Sequence, residues 1–115
     1  MVKFDFTNHY AAQDMINIIV KDKQLSVSSA IAYSITSKNY STILSTGWAS
    51  IALSMWGHDD PEREWDELDN PCIEVDLDAE KINLVDAISK KYKVDIEEAT
   101  SYFLIFTMDS LGYHI

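Results

Sequence analysis

The stretch Asp95-Ile-Glu-Glu-Ala-Thr-Ser-Tyr-Phe-Leu-Ile-Phe-Thr-Met-Asp-Ser-Leu-Gly112 decides the fold. Asp95 with Glu98 three residues on is a capping-box pattern, and Val94 is placed to staple onto Ala99. Gly112 supplies the stop of a helix that runs to Leu111. Between these signals, Tyr102 to Met108 is apolar all round the helix. A helix with no polar face has to be covered on every side. It is either central in the fold or buried between two copies. Because 115 residues offer few helices to surround a central one, the expectation is a homodimer in which Tyr102, Phe103, Ile105 and Phe106 meet across a two-fold axis.

The helix before it is capped by Asp78 and turns Ile82, Val85, Ile88 and Tyr92 inward, with Leu84 beside them. Lys90, Lys91 and Lys93 stand at its negative end. Further upstream, Ile73, Val75 and Leu77 alternate with Glu74 and Asp76, as Val2, Phe4 and Phe6 do with Lys3 and Asp5. Period-two alternation predicts two half-buried strands, 2–6 and 72–77, which pair into a ribbon.

Thr7 or Asn8 can cap a helix that runs to Asp22, with Ala11, Met15, Ile18 and Ile19 on one face and Ala12 and Ile16 widening it. Residues 25–37 put Leu25, Val27, Ile31, Tyr33 and Ile35 at odd positions, a strand period, yet Ala30 and Ala32 fit a helix better. A short helix is the preferred reading, with 30–36 as a third strand the alternative. Tyr40, Leu44, Trp48, Ile51 and Met55 then mark the inward face of one helix from Ser41 to Gly57. From Leu25 to Gly57 the only charged residue is Lys38. Ser and Thr fill the polar positions, so these helices are expected to be largely covered, their hydroxyls returning to backbone carbonyls. The fold class expected is mainly α: a small single-domain helical bundle with a two-stranded ribbon, and α+β as the alternative.

All of the net charge lies in 22 residues. Asp59 to Glu80 holds eleven acids against Arg63, for -10, while the other 93 residues hold eight acids and eight lysines and sum to zero. Asp60-Pro61 is a helix start, Asn70-Pro71 a stop, and Trp65 with Leu68 an apolar seam. A short acidic helix over 61–69, docked on the core by Trp65, is expected. So focused a field repels nucleic-acid phosphate and anionic lipid and favours a basic partner.

Catalytic signatures are weak. His58-Asp59-Asp60 reads as a polar helix entry, because adjacent residues rarely face one point and a metal site needs ligand count and spacing. Cys72 lies in no nucleophile motif with His9, His58 or His114, and its neighbours Glu74 and Asp76 disfavour a thiolate. His9 and His114 are expected to cap or solvate helix ends. Three scattered glycines, at 47, 57 and 112, make no phosphate loop. If the last two helices were a DNA-reading pair, the second would begin with Asp95, Glu97 and Glu98 and offer phosphate no Lys or Arg. One unpaired cysteine, no apolar leader in Met-Val-Lys-Phe-Asp-Phe, and no apolar run of about 20 residues point to a soluble cytoplasmic protein.

The expected function is that of a non-enzymatic acidic binding protein, without metal or cofactor. It would capture or inhibit a basic protein in the manner of an immunity protein. The expected contact residues are Asp59, Asp60, Glu62, Glu64, Trp65, Asp66, Glu67 and Asp69, an aromatic anchor amid steering charges. Two alternatives are a peptide-binding or scaffold module built on helices 79–111, and a DNA mimic that inhibits a nucleic-acid enzyme.

Overall fold

A computed structural model describes residues 1–56 and 64–113. In chain order the elements are β1 (Val2–Asp5), α1 (Tyr10–Lys23), α2 (Val27–Ser34), α3 (Ser37–Thr46), α4 (Ala49–Met55), β2 (Cys72–Val75), α5 (Ala79–Tyr92) and α6 (Ile96–Ser110). The chain is an α-dominant domain with one short antiparallel ribbon.

Helix α6 is its axis. Asp95 caps it by accepting the Glu98 N–H at 2.8 Å, and every residue from Ala99 to Met108 is buried. Helices α1 to α5 and strand β1 all pack on it. Its buried hydroxyls are satisfied inside the helix: Thr100, Ser101 and Thr107 donate to carbonyls one turn back at 2.7, 2.8 and 3.0 Å. Tyr102, Phe103, Ile105 and Phe106 are thus covered by this chain's own elements. That cover removes the reason for placing them between two copies.

The ribbon forms as the alternation predicts. Val2 faces Val75, Lys3 faces Glu74, Phe4 faces Ile73 and Asp5 faces Cys72. Phe4, Phe6 and Val75 turn into the core, while Lys3 and Glu74 form an ion pair at 3.5 Å on the outer face. Asp78 caps α5 through the Lys81 N–H at 2.8 Å. Val85 and Ile88 of α5 are buried, but Ile82 is 39% exposed, so the inward stripe is narrower than its spacing suggests.

Three expectations and one alternative reading need correction. First, α1 starts at Tyr10 with His9 at the cap position and no side-chain cap, not at Thr7 or Asn8. Thr7 instead donates its hydroxyl and its N–H to the Asp5 carboxylate, closing a turn after β1. Second, residues 27–34 are helix, as the preferred reading has it, and this excludes the alternative of a third strand at 30–36. Ser26 caps this helix by accepting from the Ser29 N–H at 3.2 Å. Lys81, reaching across from α5, donates to the last-turn carbonyls of Ala32 and Ile35 at 2.6 and 2.8 Å.

Third, the single helix expected from Ser41 to Gly57 is two helices. Gly47 takes a left-handed conformation (φ 67°), and its N–H closes α3 on the Ile43 carbonyl at 3.2 Å. The break resets the helical phase. Ile43, Ala49, Ala52 and Trp56 face the core, while Leu44, Trp48, Ile51 and Met55 are exposed. The hydroxyls do return to backbone carbonyls, as Thr42 does to Lys38 at 3.0 Å and Thr46 to Thr42 at 2.9 Å. Buried Asn39 ties α3 to the axis, donating to Ser34 O at 2.8 Å and Thr107 Oγ1 at 2.9 Å.

Fourth, residues 64–68 are not helical. Of the helix expected over 61–69, residues 61–63 lie outside the described residues, and the remainder runs irregularly along α1. Leu68 packs on the core, whereas Trp65 is 41% exposed.

Candidate partner-binding site

One face of α1 determines where the acidic segment lies. Gln13, Asp14, Asn17 and Lys21 follow helical spacing, and each meets residues 66–68. Asp14 Oδ1 accepts the Asp66 N–H at 3.1 Å, and Gln13 Oε1 accepts the Leu68 N–H at 2.9 Å. Asn17 Nδ2 donates to the carbonyls of Asp66 and Glu67 at 2.7 and 3.1 Å. Lys21 Nζ holds Asp66 Oδ2 at 2.6 Å. These side chains supply the hydrogen bonds that a helix would have made within the segment.

Two of the clamping groups are buried. Gln13, 3% exposed, also donates to the Phe6 carbonyl at 2.7 Å and so joins the end of the ribbon to the segment. Asp14, 1% exposed, also accepts the Trp56 indole N–H at 2.8 Å. A buried carboxylate is tolerated because donors converge on it. The apolar periodicity of α1 marks its inward face and gives no sign of these polar residues. The available signal was two adjacent polar groups, Gln13 and Asp14, set among Ala12, Met15 and Ile16.

The expected contact residues divide in two. Asp59, Asp60 and Glu62 lie outside the described residues, as do His58 and His114. Glu64, Trp65, Asp66, Glu67 and Asp69 lie together on the segment held by α1. All but the half-buried Asp66 are exposed. Continuing along the chain, Glu74, Asp76, Asp78 and Glu80 are exposed as well. Between the segment, β2 and the start of α2 lies an open groove of about 550 Å³. Asp66, Glu67, Asp69 and Glu74 line it, with Lys21 the basic residue among them.

The remaining candidates stand apart from this face. The Cys72 thiol is exposed and lies 3.6 Å from Asp5 Oδ1, with no hydrogen bond to a histidine among the described residues. Hydrogen bonds from Thr7, with smaller contributions from Cys72 and His9, hold the Asp5 carboxyl below its ordinary range. His9 instead faces Asp95 at 3.8 Å and packs edge-on against Phe6. Among the described residues no three His, Cys, Asp or Glu side chains gather to hold a metal, and no helix is long and apolar enough to cross a membrane.

Comparison with known protein families, curated proteins and solved structures finds no match to this chain.

Proposed function

We propose that this chain is a non-enzymatic acidic binding protein that captures a basic protein partner, immunity-protein-like, through the face carried by residues 59–80. The observation that supports this is the presentation of residues 64–69. Their backbone is fastened to α1, while the carboxylates of Glu64, Glu67 and Asp69 and the indole of Trp65 face solvent. A fixed charged surface with an exposed aromatic suits steered encounter followed by docking. A cytoplasmic setting accords with the single exposed thiol. The alternative of a peptide site on helices 79–111 is less well supported, because α6 has little surface left to offer. A DNA mimic would use the same acids and differ in its target.

The test begins with affinity capture from the native cell and mass spectrometry to identify the partner. Association is then timed for the wild type and for a variant carrying Glu62→Gln, Glu64→Gln, Asp66→Asn and Glu67→Gln. Four of the ten net negative charges are removed. Association should slow and its salt dependence should shrink. A folded variant that binds at an unchanged rate at every salt concentration would defeat the proposal.

A further inference from the structure

The pairing of the ribbon fixes what the outer edge of β2 offers. The Phe6 N–H donates to the Pro71 carbonyl at 3.0 Å, which continues the register of the ribbon. Phe6–Pro71 is therefore a hydrogen-bonded pair, and so by alternation are Phe4–Ile73 and Val2–Val75. The N–H and C=O groups of Cys72 and Glu74 must then point away from β1. The Cys72 N–H is taken by Asn70 Oδ1 at 3.1 Å. Among the described residues neither the Glu74 N–H nor the Glu74 carbonyl has a hydrogen-bond partner. Cys72, Ile73 and Glu74 of this strand also line the acidic groove.

Resting on the reading of a basic partner, we infer that β2 receives an extended basic segment of that partner as a third strand. The backbone groups of Glu74 pair with the segment, and Glu67, Asp69 and Glu74 face its lysines or arginines. Two observations select this occupant. A two-stranded ribbon is a marginal sheet, and added strands bring main-chain hydrogen bonds. The acids lining the groove outnumber its one lysine: Lys21 already holds Asp66 and Lys3 pairs with the exposed Glu74 at 3.5 Å, which leaves Glu67 and Asp69 without an ion pair among the described residues. A second copy of this chain is disfavoured at the same edge. Antiparallel pairing centred on Glu74 would set Glu74 opposite Glu74, between chains of charge -10.

The probe is a nine-residue acetylated and amidated peptide of alternating Lys and Val. Its control is the same peptide N-methylated at every second amide, which keeps the charge and removes one edge of strand donors. Binding is followed by amide chemical shifts of the full chain. The expected result is perturbation centred on Cys72 and Glu74, slowed exchange of the Glu74 amide, and about tenfold weaker binding of the N-methylated peptide. Glu74→Pro deletes the outward N–H without removing a ribbon hydrogen bond, and Glu74→Gln deletes only the charge. Pro should weaken the plain peptide further than Gln does. Equal binding of the two peptides, equal effects of the two substitutions, or no perturbation near residue 74 overturns the third-strand inference. Each of these leaves the capture proposal standing, provided the native partner still binds at a charge-dependent rate. If that rate proves independent of charge, the capture proposal itself fails.

Discussion

Helix α6 and the segment 64–70 are held in place by opposite means. Ala99–Met108 is enclosed on all sides, and its position follows from its own side chains, which have nowhere to go but inward. Residues 64–70 bury little beyond Leu68 and take their path from the polar side chains of α1. The first region stabilises the fold through area removed from water. The second is attached through a few hydrogen bonds and remains on the surface. The face proposed to meet a partner can therefore change its charges with little effect on the core, so long as the clamp on α1 remains.

The contrast breaks most sharply in α6. Phe103→Ala should destabilise the chain by about 3–5 kcal/mol, because the ring is fully buried and the surrounding helices cannot all close on the cavity. Urea unfolding measures it. A loss of under about 1 kcal/mol, within the range of ordinary surface substitutions, would show that α6 is not the axis. Next comes Asp14→Ala, expected to cost about 1–3 kcal/mol, since the Trp56 indole N–H and the Asp66 N–H lose an acceptor. Hydrogen exchange should quicken at Asp66 by more than the global loss of stability, and in α6 by no more than that loss. Equal quickening in both regions would mean that the clamp belongs to the core rather than to the surface segment.

A smaller effect, confined to alkaline solution, is expected at Tyr102. Burial first, and then the neighbouring Glu98 carboxylate, push its phenol up to about 12 from an ordinary value of 10.0. The folded state thus keeps a proton that the unfolded state releases. Stability from this group is complete below pH 10 and declines as pH rises toward 12. In Tyr102→Phe that part of the alkaline decline should disappear, as read by unfolding at stepped pH. An unchanged decline would mean that the phenol is not kept un-ionised by its surroundings.

What could be read in the sequence follows the same division. The caps at Asp78 and Asp95, the apolar run of α6 and the strand alternation at 2–6 and 72–77 are local patterns, each enough to place its own element. Residues 61–69 carry strong local helix signals in Asp60-Pro61 and Asn70-Pro71, yet 64–68 are not helical. Their hydrogen-bond partners stand some fifty positions away on α1, where no local pattern points to them. The break at Gly47 was legible, since an isolated Gly within a helical stripe marks a C-cap as readily as a defect. The stripe through Leu44, Trp48, Ile51 and Met55 obscured it, because regular spacing shows which residues share a face but not which way that face points. For the candidate site, the charge was evident from composition, whereas the clamp and the outward groups of Glu74 required the register.

The smallest effect on stability is expected where the largest effect on binding should lie. Trp56 and Trp65 differ in their surroundings: Trp56 is 5% exposed with its indole N–H on Asp14 at 2.8 Å, whereas Trp65 is 41% exposed. Trp65→Ala should therefore cost less than about 1 kcal/mol in urea unfolding, as surface substitutions do. In the complex the outcome should reverse. An exposed aromatic at the centre of a steering field is the kind of residue that becomes a hot spot once a partner covers it, worth about 2 kcal/mol or more. On the proposed function, the surrounding carboxylates would govern how often the partner arrives, and the indole how long it stays. Trp65→Ala should then speed dissociation by about tenfold or more while leaving association and its salt dependence nearly unchanged. The charge-neutralised variant should give the converse pattern. A large loss of stability on removing Trp65 would make it a structural residue of the fold. An unchanged dissociation rate with stability intact would leave the acids as the whole of the binding face.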